Sequence, residues 1–183
     1  MNHTRIAFVA LALVFLGALP VMAQQKRISP HETISAVVDG NRVTLVYGRP
    51  YSKAPKTGEI RKIWGTLIPY GKVWRTGSDE ATLLITQKPI VIGDATLPAG
   101  AYTLFTLPTE DGKAKLIISK QLGQWGLQYD EKQDFARVDL KKDAVDPIVD
   151  QFTMSVGPNA GGGGIIKMVW ENTQFSVPFT LKK

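Results

Sequence analysis

The chain of 183 residues contains no cysteine. This absence excludes disulfide bonds, thiol catalysis, thiolate metal sites and type-1 copper, because each of them needs a cysteine sulfur. Histidine is nearly absent as well, since only His3 and His31 occur. A zinc site made of several histidines cannot be built in the mature chain, and a Ser-His-Asp triad would have to use His31. We therefore expect no metal and no cofactor.

Residues 1–23 have the pattern of a secretory signal peptide. Arg5 supplies the positive charge, residues 6–19 form an apolar run with a single glycine, and Pro20 precedes a small-residue end at Ala23. The run is shorter than the roughly 20 residues that cross a bilayer, although an uncleaved anchor is the alternative. No cysteine follows it, so a lipid-anchored lipoprotein is excluded. We expect cleavage before Gln24 and a periplasmic or extracellular protein without a stable membrane span.

The basic residues are dispersed along the chain, which carries a formal net charge of +6. No run of lysine and arginine resembles an arm that binds nucleic acid, so we expect no nucleic-acid partner. A solvated basic surface explains the charge, and contact with anionic polymers of the cell envelope is the alternative.

Apolar residues alternate with polar ones in most segments after the signal, as in strands of a sheet with one buried face. Asp39-Gly40-Asn41 separates two such runs and predicts a hairpin. Near the C-terminus Phe152, Met154 and Val156 alternate with polar residues, and residues 166–170 and 175–181 repeat the pattern. We predict about ten short strands and no long helix. The predicted fold is a single all-β domain over residues 24–183, an antiparallel, jelly-roll-like β-sandwich, with a barrel as the alternative.

Two segments depart from the strand pattern. Residues 48–65 contain Pro50, Pro55 and several bases, and they predict a long loop that ends in a helical turn. Residues 68–82 combine aromatic, basic, acidic and glycine residues, which predicts a short strand held between turns. Because sequential elements tend to be neighbours, we expect both ends of the loop to lie near residues 68–82.

Five phrases stand out together in the mature chain. They are VYGRP (46–50), IPYGKVWRTG (68–77), LPAGAYTL (97–104), LGQWG (122–126) and WEN (170–172). In these phrases the chain resembles an exported bacterial family known as domain of unknown function 2911. The resemblance covers nearly the whole mature chain. It implies a signal peptide, but it implies no activity and no functional residues.

Side chains in and around residues 68–82 are the candidates for a ligand site. Tryptophan and tyrosine faces can bind sugars, and arginines can hold carboxylate or phosphate groups. The leading hypothesis is an exported non-enzymatic domain that binds a glycan or a small anionic ligand. One alternative is a hydrolase that uses Asp79 or Glu80, and another is a structural or interaction module. The candidate residues are Arg49, Tyr51, Tyr70, Trp74, Arg75, Asp79, Glu80 and Trp125.

Arg75 has two possible roles. If the stretch is extended with Val73 inward, Arg75 points toward the core and needs an acid, for which Asp79 or Glu80 is the nearest supply. If Trp74 is inward instead, Arg75 is free to hold a ligand, together with Arg49 if both reach one surface. We favour the buried ion pair, because an extended strand beside glycines needs an anchor.

Overall fold

The computed structural model describes residues 27–182, and the signal peptide predicted above lies outside them. The predicted all-β, antiparallel class is confirmed, with one turn of 3-10 helix at Glu131–Gln133. Within the described part of the chain, no helix is long and apolar enough to cross a membrane. The strands are β1 (His31–Val38), β2 (Asn41–Gly48), β3 (Thr82–Thr86), β4 (Ile90–Ile92), β5 (Ala95–Leu97), β6 (Gly100–Pro108), β7 (Ala114–Ser119), β8 (Asp134–Pro158) and β9 (Gly164–Leu181).

Nine strands follow one another in the order β1-β2-β3-β6-β7-β8-β9-β4-β5, and every neighbouring pair is antiparallel. The first part of β8 pairs with β7 and its later part pairs with β9. Within the later part, register shifts fall on either side of Val149, as at a β-bulge. β8 therefore pairs first with β7, up to Leu140, and then with β9, from Lys141 onward.

Two strands are much longer than the short strands that the sequence predicts. β8 has 25 residues and β9 has 18. The alternation of apolar residues predicts two strands, 166–170 and 175–181, in the range of β9, and it covers only residues 152–156 of β8, because the alternation is interrupted. In β9 the interruption falls at Glu171, whose backbone is left-handed at φ 53°. The pairing with β8 continues on both sides of Glu171, so β9 is one strand although the alternation of apolar residues indicates two.

The predicted hairpin and its buried face are confirmed. β1 and β2 pair across a turn in which Asp39 (φ 50°) and Gly40 (φ 73°) both have positive φ, as a tight primed turn requires. The face of β2 that carries Tyr47 is buried in the core. The Tyr47 ring packs edge-on against Phe152 of β8, with 5.8 Å between ring centroids. The hydroxyl of Tyr47 accepts a 2.9 Å hydrogen bond from the backbone N–H of Met154. β2 thus faces β8 across a shared core.

Candidate functional site

A cavity of about 640 Å³ opens where residues 50–61 meet residues 67–79. Residues 126–127 form part of its wall, and Trp170 of β9 lies at its base. Volumes of this size suit a drug-sized molecule. Most wall residues are apolar, four are cationic, and Asp79 is the one carboxylate among the described wall residues. The wall consists of Ile28, Ser29, Pro50, Tyr51, Ala54, Pro55, Lys56, Arg61, Leu67, Ile68, Pro69, Lys72, Val73, Trp74, Arg75, Ser78, Asp79, Gly126, Leu127 and Trp170.

The long loop formed by residues 48–65 is fixed to the sheet near its start. Ser52 donates its backbone N–H to the Asp150 carbonyl at 2.7 Å and its hydroxyl to the Asp150 carboxylate. That hydroxyl is the main reason that the pKa of Asp150 is lowered. The same carbonyl accepts a 3.1 Å bond from the indole of Trp170. Asp150 therefore positions both the loop and the base of the cavity.

Both ends of the loop formed by residues 48–65 lie against residues 68–82, which we call the central stretch, as expected. Gly48 touches Ser78 so closely that a Cβ at Gly48 would be 2.3 Å from the Ser78 carbonyl oxygen. At the other end the Trp64 ring meets the Trp74 ring edge-on, with centroids 5.9 Å apart. The predicted helical turn at the end of the loop is not found, since only turns and isolated bridges occur there.

The central stretch turns instead of running extended through Asp79. Trp74 exchanges two backbone hydrogen bonds with Thr106 of β6, at 2.8 and 2.7 Å. Thr76 (φ 54°) and Asp79 (φ 65°) then adopt left-handed conformations, which are rare for a β-branched residue such as threonine. The Thr76 hydroxyl lies 2.7 Å from that of Thr106, and its carbonyl accepts a 2.6 Å bond from Thr82. Such strain persists because these bonds over-determine it, and it is typical of functional sites.

Trp74 points into the main core. Its ring stacks on Trp170, with centroids 5.9 Å apart and an interplanar angle of 24°. It also meets Phe152 edge-on at 5.1 Å. Its indole N–H donates to the Gly77 carbonyl at 3.1 Å. Trp74 is therefore a structural part of the wall, with one face of its ring stacked on Trp170.

Arg75 lines the cavity as a half-buried cation. Its Nε–H is buried and has no hydrogen-bond partner among residues 27–182. Burial lowers the pKa of Arg75, and the nearby charge of Asp79 acts in the opposite direction. The aliphatic part of the side chain lies directly on Gly126, where an added Cβ would be 2.0 Å from Arg75 Cδ. Glycine at 126 thus makes room for the arginine.

The expected ion pair between Arg75 and Asp79 or Glu80 does not form among the described residues. Asp79 contacts the Nε2 of His31 at 3.1 Å, and Glu80 forms a 2.5 Å ion pair with Arg27. That bond to Arg27 is the main cause of the lowered pKa of Glu80. The prediction assumed an extended chain, and it was wrong because the left-handed backbone at Asp79 changes the direction of both acids.

Arg49 does not join Arg75 in the cavity. Its guanidinium forms a 3.2 Å ion pair with Glu32 and donates to the Phe152 carbonyl and the Thr153 hydroxyl at 3.2 and 2.9 Å. The shared arginine surface is therefore not observed in the described part of the chain.

Of the aromatic candidates, some line the cavity and others lie outside it. Tyr51 lines the cavity with Trp74, whereas Tyr70 and Trp125 lie outside its wall and are 40% and 44% exposed. The structure brings together Tyr51, Trp74, Arg75 and Asp79, and it leaves Arg49, Tyr70, Glu80 and Trp125 outside the cavity.

Several wall residues were not predicted. Lys56 and Lys72 are exposed, and the guanidinium of Arg61 donates to the carbonyls of Tyr51 and Ser52. Within residues 27–182, no carboxylate forms a salt bridge with any of these cations or with Arg75. Their one sequence signal was their position in the two unusual segments.

The chemistry of the wall limits what the cavity can do. A pair of carboxylates that converge across a pocket is needed for glycoside hydrolysis, and the described wall offers Asp79 alone. Residues 27–182 contain no group of three or more acidic or histidine side chains that could hold a metal ion. Hydrogen-bond donors and positive charge on apolar walls are suited to holding an anion.

Comparison with known proteins gives the family and nothing finer. A family model described as "Protein of unknown function (DUF2911)" matches residues 29–179. No curated protein and no solved structure is found to be similar to the chain. The matched region includes β1 to β8, β9 as far as Phe179, and nearly the whole cavity wall. Because the model matches most of its length, the chain belongs to the DUF2911 family.

Proposed function

We propose that this protein binds a small anionic molecule in the cavity beside Arg75, without carrying out catalysis. The observation that carries the proposal is the buried Nε–H of Arg75, which has no acceptor among the described residues although the side chain lines a cavity. A buried polar group without a partner costs about 1–3 kcal/mol, and more when it is charged. A bound anion would supply the acceptor and lower this cost.

Electrostatics favour an anion over a neutral sugar. Lys56 and Lys72 are exposed at the wall and have no salt bridge to a described residue, so their field attracts anions toward the opening. A sugar platform needs free aromatic faces, but Trp74 packs in the core, and Tyr70 and Trp125 are outside the wall. A glycan therefore ranks behind a small anion as the ligand.

Export to the periplasm or the cell exterior is part of the proposal. Its support is the charged, apolar and small-residue pattern of residues 1–23. Intact-mass analysis of the protein from the cell envelope tests it, with an N-terminus at Gln24 as the expected result. A mass that still includes residues 1–23 would contradict cleavage.

Calorimetric titration with benzoate, phosphate and sulfate tests the binding function. We expect at least one of these anions to bind, and Arg75→Met to weaken that binding by about tenfold or more, since a hydrogen bond to a charged group is worth about 1.5–3 kcal/mol. Arg42→Met is the matched control, because Arg42 is an exposed arginine of β2 outside the cavity wall. Equal affinities in the two variants would contradict the proposal.

The stability of Arg75→Met separates a ligand contact from a structural anchor. Methionine keeps most of the apolar stem on Gly126 and removes the unpartnered Nε–H. We expect the free energy of unfolding to stay the same or to rise by up to about 1–3 kcal/mol, because the unpartnered group is gone, whereas breaking a buried ion pair would lower it by about 3–5 kcal/mol. Chemical denaturation measures the difference, and a loss in the higher range would return Arg75 to a structural role.

A further inference from the structure

The cavity wall combines buried apolar side chains with polar groups that lack a partner. Ile68 and Trp170 are buried apolar members of the wall, at 2% and 1% exposed. Arg75 is half-buried, and its neighbour in the wall, Ser78, has a buried hydroxyl that also lacks a partner among the described residues. The unmet hydrogen-bonding groups of the wall thus belong to one short segment, residues 75–78.

The outer wall carries exposed apolar side chains. Leu67 is 43% exposed, Ile28 65% and Leu127 77%. Single exposed leucines are common, but three large exposed apolar side chains in the wall of one cavity, together with Pro50 and Pro69, give an apolar lining that water covers at a cost. A ligand with an apolar body would cover it.

From these two observations we infer that the ligand is an amphipathic anion, with one anionic head group at residues 75–78 and an apolar body along Leu67 and Leu127. This rests on the proposed function and names its ligand class. A guanidinium offers its Nε–H and an Nη–H side by side, which match the two oxygens of a carboxylate.

Simple inorganic anions and neutral molecules fit this wall less well. Phosphate or sulfate would meet Arg75 but leave the apolar lining uncovered. A neutral apolar molecule would cover the lining but leave the Arg75 Nε–H without an acceptor. The exposed cations Lys56 and Lys72 would raise the rate at which either kind of anion arrives, without choosing between them.

Titration of the full chain with octanoate, acetate, phosphate and octanol tests the inference, with octanoate kept below its micelle concentration. Each CH₂ group that is fully buried strengthens binding by about fourfold. Octanoate has six more of them than acetate, so burying half of these predicts about a sixtyfold tighter complex. Octanol has the same apolar body without the charge, and we expect it to bind at least about tenfold more weakly than octanoate.

Two variants assign the two parts of the ligand to the wall. Arg75→Met should weaken octanoate by about tenfold or more and leave octanol unchanged. Leu127→Asn should weaken octanoate and octanol alike and leave acetate unchanged. Leu122→Asn is the matched control, because Leu122 is also exposed, at 51%, but lies outside the wall.

The outcomes separate this inference from the function on which it rests. Acetate or phosphate binding as tightly as octanoate, with dependence on Arg75, would overturn the amphipathic ligand and leave anion binding intact. Octanol binding as tightly as octanoate, without dependence on Arg75, would overturn both. So would the failure of every anion to bind. Weaker octanoate binding in both Arg75→Met and Leu127→Asn, but not in Leu122→Asn, supports the inference.

Discussion

Replacing Gly126 with alanine tests whether the wall is built around Arg75. Gly126 is buried, and its backbone is outside the left-handed region, so alanine can adopt the same conformation. The structure has no space, however, for an added Cβ at Gly126. A Cβ would lie 2.0 Å from Arg75 Cδ, 2.7 Å from Arg75 Cβ and 2.7 Å from the carbonyl oxygen of Asp79. Real contacts of this kind are longer than 3.0 Å, so the arginine or the backbone must move.

The cost of Gly126→Ala depends on whether Arg75 or the backbone of Asp79 can move away from the added methyl group. The Gly126 N–H donates to the Asp79 carbonyl at 2.9 Å, so the two segments cannot separate without losing that bond. Overpacking of this kind costs about 1–3 kcal/mol. Alanine also restricts the unfolded chain, which returns about 0.4–1 kcal/mol. We expect Gly126→Ala to lower the free energy of unfolding by about 1–2 kcal/mol, and to weaken anion binding because Arg75 is displaced.

Chemical denaturation with a matched glycine gives the comparison. Gly157 in β8 has no atom within 4 Å of an added Cβ and no left-handed backbone, so Gly157→Ala should leave the stability unchanged or raise it by up to about 1 kcal/mol. Combining Gly126→Ala with Arg75→Ala should restore part of the loss, since Cδ is then gone. If Gly126→Ala costs no more than Gly157→Ala, the packing of Arg75 against Gly126 is refuted.

Two further predictions concern the anchors of the core and of the loop. Tyr47→Phe should cost about 1–3 kcal/mol, because the buried Met154 N–H loses its acceptor. Burial raises the pKa of Tyr47 to about 12, above the unfolded value of about 10, so stability should fall as pH rises between these values, and less steeply in the variant. Equal slopes in alkaline denaturation would contradict this. Asp150→Ala should destabilise the protein at neutral pH, because the Ser52 hydroxyl loses its acceptor. Since the pKa of Asp150 is lowered in the folded protein, the difference in stability between the original protein and the variant should shrink as falling pH protonates that carboxylate. Chemical denaturation at several acidic pH values measures this difference, and a constant difference would contradict the prediction.

The fold class was predictable because alternation is a local property that every strand repeats. The buried face of β2 could be read directly from Val43, Leu45 and Tyr47. The lengths of β8 and β9 could not, because a register shift keeps the backbone pairing while it breaks the side-chain alternation. The order of the strands in the sheet depends on long-range pairing, which a single sequence does not encode in any local pattern.

The location of the site was predictable to the level of segments. The mixed composition of residues 48–65 and 68–82 indicated a special region, and both segments line the cavity. That Arg75 has no ion-pair partner among the described residues was not predictable, because the directions of Asp79 and Glu80 depend on the left-handed backbone of Thr76 and Asp79. Threonine rarely adopts that conformation, and the enrichment of aspartate in it is too weak to locate it in a sequence. Trp170 reached the wall from the other end of the chain, with no signal beyond its place in a strand.

Among residues 27–182, two of the four left-handed non-glycine residues and two of the five buried side-chain atoms without a hydrogen-bond partner lie between Arg75 and Asp79. Thr76 and Asp79 have left-handed backbones, and the Nε–H of Arg75 and the hydroxyl of Ser78 are buried without described partners. Each such feature costs on the order of 1–3 kcal/mol, which a protein without disulfides must offset with its core. The left-handed backbone at Thr76 is held by hydrogen bonds within the fold, since the hydroxyl and the carbonyl of Thr76 are both bonded. The Nε–H of Arg75 has no such bond, and Arg75 lines a cavity, which is the arrangement expected where a ligand supplies the missing acceptor.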